Sequence, residues 1–105
     1  MTKKNQKPRT LQEFEKLFPE TWKAYTYFRD TCDHEGPIDP KTRELIKIGI
    51  EVARKRHGGL IAHLTRAQEA GAKKSEIYQA ILLATPLIGL PDVLDAFHFV
   101  REHLK

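Results

Sequence analysis

The last third of the chain, SEIYQAILLATPLIGLPDVLDAFHFVREHLK, limits the possible folds most sharply. Ile77, Ile81, Leu82, Leu83, Leu87, Ile88, Leu90, Val93, Leu94, Phe97, Phe99 and Val100 make it apolar nearly all round, at helical rather than alternating spacing. A chain of 105 residues cannot wrap such a segment completely. The expected resolution is burial by a second copy, so an all-α homo-oligomer is anticipated.

Punctuation elsewhere supports short helices. LQEFEKLF should form a first helix capped by Thr10, and Pro19 suits the first position of a second helix running to about Thr31. In that second helix Trp22, Tyr25 and Phe28 share one side, a stripe that reads as core, while Tyr27 falls off it. Asp39-Pro40 is a strong helix start for KTRELIKIGIEVARKR. There Glu44, Lys47, Glu51 and Arg54/Lys55 form the polar line of an otherwise apolar helix, which expects neighbours on more than one side. Gly58-Gly59 should break the chain, LIAHLTRAQEAG should run to a stop at Gly71, and Ser75 stands where the next helix needs a cap. Pro86 should kink the apolar segment and Pro91 should open the final helix. Five to six helices result.

The net charge of +4 is not spread evenly. Lys3, Lys4, Lys7 and Arg9 place all of it in residues 1–10, read as a flexible basic arm, and the helical domain of residues 11–105 balances to zero. Nucleic acid is therefore not expected as a partner, and no segment is apolar enough for a membrane span or a secretory signal. A cytoplasmic location is the default. Past Gln12 the chain has no Asn, and Lys, Arg and Glu fill the surface, a bias reported for proteins of hot environments.

Several chemistries lack their residues. Cys32 is the only cysteine, which excludes an internal disulfide and a cysteine metal cluster, and it lies two residues from His34, a spacing that does not face on a helix. Ser75 is the only serine, without a nucleophile elbow, and His57-Gly58-Gly59 lacks the spacing of a phosphate loop. His34, His57, His63, His98 and His103 include no local metal pair, so neither metal nor cofactor is expected. Acid/base chemistry from Glu44, His63 and His57 remains. His63 sits on the border of an apolar face between Leu60 and Ala67, where an imidazole is either tuned for proton transfer or satisfied by a carbonyl. Glu44, on local sequence, reads as an exposed acid paired with Lys47 or Lys41.

From TREL, through HLTRAQEAG and SEIYQAI, to GLPDVLDAF, with the FPETWKAY and GPIDPKTRE preludes, the chain resembles the carboxymuconolactone decarboxylase and alkylhydroperoxidase D-like family over about residues 11–100. The resemblance implies a small all-α domain assembling as homotrimers or homohexamers, with a site bordered by neighbouring chains. Antioxidant members use a Glu, a C-x-x-C pair and a His. Glu44 and His63, 19 positions apart, match that Glu and His, and the cysteine positions fall on Arg56 and Gly59. Thiol peroxide reduction is thus not expected. The decarboxylase branch implies cofactor-free decarboxylation or isomerisation of a small unsaturated carboxylate or lactone. His63, aided by His57, would move the proton, Glu44 would orient His63, and Arg56 would hold the carboxylate. The alternatives are a non-catalytic homo-oligomeric binding or assembly protein that kept the fold, and a residual alkylhydroperoxidase-like antioxidant protein.

Overall fold

The computed structural model describes residues 8–104. Among them are six helices of nine residues or more and one further single turn, with no strand. The elements are α1 (Arg9–Leu17), α2 (Pro19–His34), α3 (Pro40–Arg54), α4 (His57–Glu69), α5 (Lys74–Leu82), the turn α6 (Thr85–Ile88) and α7 (Leu90–His103). None is long and apolar enough to cross a membrane. The chain divides into two compact units, residues 1–37 and 38–105.

In the first unit, Lys3, Lys4 and Lys7 of the basic arm lie outside the described residues, but Arg9 and Thr10 belong to α1 rather than to the arm. Thr10 does not cap. Pro8, whose ring fixes its φ, occupies that position, and its carbonyl accepts from the Gln12 N–H at 3.0 Å. The two helices meet through Phe14, which packs tilted on Phe18 and edge-on to Trp22 with ring centres 5.1 and 6.3 Å apart. The aromatic stripe of α2 is not core. Trp22 is half-buried, but Tyr25 is 51% and Phe28 64% exposed, and Tyr27 is exposed as anticipated. α2 also runs one turn beyond the expected end, to His34, whose ring Nδ1 bonds the Asp30 carbonyl at 2.7 Å.

The second unit carries the core. Ile48 and Val52 of α3, Leu60, Leu64 and Ala67 of α4, Ile77 and Ile81 of α5, and Val93, Ala96 and Val100 of α7 are all buried. These positions recur at three- and four-residue steps, so each helix presents one strip inward. Asp39 starts α3 as expected, accepting from the Thr42 N–H at 3.3 Å and the Thr42 hydroxyl at 2.7 Å. Those two bonds hold its carboxyl below the ordinary carboxylate range. Ser75 does not cap α5. The helix begins one residue earlier, and Glu76 accepts from the Lys73 N–H at 2.9 Å and from Lys41 at 3.0 Å. These partners, the backbone bond first, lower the Glu76 pKa.

The break between α3 and α4 falls two residues before the glycines. Lys55 takes the left-handed conformation (φ 58°, ψ 37°), and its N–H closes onto the Glu51 and Val52 carbonyls. Gly58 and Gly59 then lie inside α4, and Gly71 follows its end with φ 94°. The apolar last third divides at α6 and Gly89, and Pro91 sits in the first turn of α7. Much of its outer surface stays uncovered: Leu82, Leu83, Leu87, Leu90 and Leu94 are all more than half exposed.

Candidate functional site

The reading of Glu44 as an exposed acid is overturned, and a second acid of the polar line of α3 is also largely enclosed. Glu44 is buried, 8% exposed, and the Glu51 side chain is 14% exposed. They stand seven residues apart, two helical turns, and therefore on one face. Ile46 and Ile50 of the same helix are about half exposed (47% and 50%). Lys41, one proposed partner of Glu44, bonds Glu76 instead, while Lys47 lies 3.9 Å from Glu44 Oε2.

What receives the acids is His63. The chain turns back at Lys55-Arg56, so α4 packs along α3 and positions 19 apart come level. His63 Nδ1 and Glu44 Oε1 are 2.7 Å apart, a short hydrogen bond between side chains that are 15% and 10% exposed. An ionised carboxylate only accepts, so the Nδ1 proton donates and Nε2 is left on the other side of the ring. Nε2 lies 4.0 Å from Glu51 Oε2. That is too long for a hydrogen bond. The imidazole thus stands between two glutamates of α3.

Sequence reasoning singled out Glu44 and His63 and missed Glu51. The signals were the seven-residue step from Glu44 and the glycine across from it. A Cβ on Gly59 would overlap the Glu51 carboxylate, so only glycine lets α4 pass with that carboxylate in place.

His57 is not part of the His63 group. At the first position of α4 it stacks on Phe99 of α7, ring centres 4.0 Å apart at 21°, and Phe99 in turn contacts His103 at 4.3 Å. His57 does share a cleft with Glu51. This cavity of about 580 Å³ is bordered by Glu51, His57, Phe99 and the α7 side chains Asp95, His98 and Glu102, among others. Lys55 and Asp92 pair at 3.4 Å on its edge. Neither His63 nor Arg56 borders it. Arg56 precedes α4, is exposed, and has no side-chain ion pair among the described residues. No group of three or more His, Cys, Asp or Glu among the described residues is arranged to hold a metal ion. Cys32 is exposed on α2, in the unit that does not carry Glu44 and His63.

Residues 19–102, from the start of α2 through nearly all of the second unit, match the Carboxymuconolactone decarboxylase family. The chain belongs to this family. No curated protein and no solved structure matches it. Family membership and the helical architecture agree with the resemblance read from TREL, HLTRAQEAG and GLPDVLDAF.

Proposed function

We propose that this member of the carboxymuconolactone decarboxylase family carries out cofactor-free acid/base chemistry, decarboxylation or isomerisation, on a small unsaturated carboxylate or lactone. The observation that carries the reading is the 2.7 Å bond between the nearly buried His63 and Glu44. A carboxylate fixed on Nδ1 sets the tautomer and balances the charge that the ring gains when it takes a proton. In decarboxylation the C–CO2 electron pair passes through the double bond into the conjugated carbonyl as a dienolate, and a proton held by His63 is delivered to a carbon of that dienolate as the carbonyl re-forms. In isomerisation the same pair removes a proton from one carbon and restores it at another. Neither route needs a thiol, in keeping with Arg56 and Gly59 at the positions where antioxidant relatives are expected to have cysteines.

Arg56, exposed, without a side-chain ion pair among the described residues and next to His57 in sequence, is the proposed anchor for the substrate carboxylate, and His57 borders the cleft as a secondary proton group. A second reading, assembly between copies, draws on a separate observation. An apolar groove of about 580 Å³ runs along Leu45, Ile46, Ile50, Leu83 and Leu87, with Leu87 84% exposed. Homotrimers or homohexamers that cover this face are proposed alongside the chemistry rather than in place of it.

The test is turnover of muconolactone and of carboxymuconolactone, followed by ultraviolet absorbance and CO2 release. His63→Gln should lower kcat about 10²–10⁴-fold. Glu44→Gln should lower it less, since the amide oxygen still accepts from Nδ1 but carries no charge. Unchanged turnover in His63→Gln rejects the reading.

A further inference from the structure

The pair assigned above has no direct frontage on the cleft. His63 is not among the side chains that border it, whereas Glu51 is, with its carboxylate 4.0 Å from His63 Nε2. Glu51 is also an unusual surface acid. Its side chain is only 14% exposed, and its charge partners among the described residues are Arg54, at a long 3.5 Å and itself 56% exposed, and His63. A largely enclosed carboxylate on the wall of a cleft and beside an imidazole stands where an acid/base group acts. The α4 backbone is shaped to allow it: Gly59 leaves free the space that the carboxylate fills.

We infer that Glu51 is the acid/base group that meets the bound molecule, and that His63 and Glu44 stand behind it as its proton partners. This rests on the functional reading above and deepens it. Glu51 removes a proton from the ring carbon at the far end of the conjugated C=C, and the C–H electron pair moves through that double bond into the lactone carbonyl as a dienolate. A rotation of the Glu51 carboxyl brings it within hydrogen-bond reach of Nε2, where the proton is shared with the imidazole. The proton then returns through Glu51 to the carbon that completes the product. No oxidant, reductant or further reactant is required. The Glu44 bond on Nδ1 keeps the ring oriented throughout, so Nε2 stays directed at Glu51.

The experiment uses the full chain with Glu51→Ala and muconolactone as probe, and reads exchange of its ring hydrogens in deuterated water by NMR. Glu51→Ala should lower the exchange rate about 10²–10⁴-fold, mainly in kcat rather than KM. Sodium formate, which fits the emptied carboxylate position, should restore part of the rate in proportion to its concentration, and it should not rescue His63→Gln. A wild-type rate in Glu51→Ala, or a loss that formate leaves untouched, overturns the assignment. Should the wild-type chain not exchange muconolactone, the functional reading fails by itself, and Glu51 is then judged on the ring. In protein carrying ¹⁵N-histidine, Glu51→Gln should move the His63 Nε2 resonance while Asp95→Asn leaves it in place. A moved resonance keeps Glu51 as the partner of His63, and an unmoved one rejects it.

Discussion

Gly58 and Gly59 are neighbours in the first turn of α4, and their substitution by alanine should have opposite meanings. Neither has a positive φ, so a Cβ is compatible with the backbone at both positions. At Gly58 nothing lies within 4 Å of an added Cβ. Gly58→Ala should therefore stabilise the protein by about 0.4–1 kcal/mol, chiefly by restricting the unfolded chain. That raises Tm by roughly 2–8 °C for a domain of this size. Gly59→Ala gains the same backbone term, but its methyl would overlap the end of the Glu51 side chain. The carboxylate is a flexible terminus and swings away, giving up its place beside His63. Stability should then change little, within about 0.5 kcal/mol of wild type, while turnover falls with the Glu51→Ala variant. Thermal unfolding followed by far-UV circular dichroism, beside the exchange assay, reads both effects. A destabilised Gly58→Ala would show that these glycines form a flexible break, and a fully active Gly59→Ala would detach the Glu51 carboxylate from function.

The other predictions address the framework around the site. Leu60, fully buried where α4 meets α3, should cost about 2–5 kcal/mol as Leu60→Ala, read as a lower denaturant midpoint at constant slope. Asp39 and Glu76 both have folded pKa values below their ordinary ones, so the stability they contribute is present above the unfolded-state value and is lost as pH falls through the folded one. Acid unfolding should accordingly lose part of its pH dependence in the Asp39→Asn, Glu76→Gln double variant, and an unchanged acid limb would refute that contribution. Leu87→Lys, at an 84% exposed position, should leave the helical spectrum intact and reduce the mass measured by light scattering. A monomeric wild type would contradict the proposed assembly.

The architecture was legible in the sequence wherever one local rule decided it. Asp39-Pro40 starts a helix because a capping carboxylate and a proline with no N–H to lose act at adjacent positions. The break before α4 was displaced because the glycines drew the prediction, although the residue that turns left-handed is Lys55. The glycines serve a packing need, room for Glu51, which only the partner helix reveals. For the site, the 19-residue spacing and the family resemblance selected Glu44 and His63, and both meet. Local charge pairing described Glu44 in part: Lys47 does lie 3.9 Å from it, but Lys41 reaches Glu76 instead and the acid is buried rather than exposed. His57 and Glu51 were sorted by tertiary packing alone. The aromatic ring of Phe99 draws His57 toward α7, and the turn at Lys55 carries His63 back to a level between the two glutamates.

The central claim is that an imidazole held by Glu44 moves protons to and from a small lactone or unsaturated acid. Its most direct measurement is deuterium uptake by muconolactone in deuterated water with wild type and with His63→Gln at equal concentration. The account predicts enzyme-dependent uptake in the wild type and a rate about 10²–10⁴-fold lower in the variant. Equal uptake by the two proteins would contradict it.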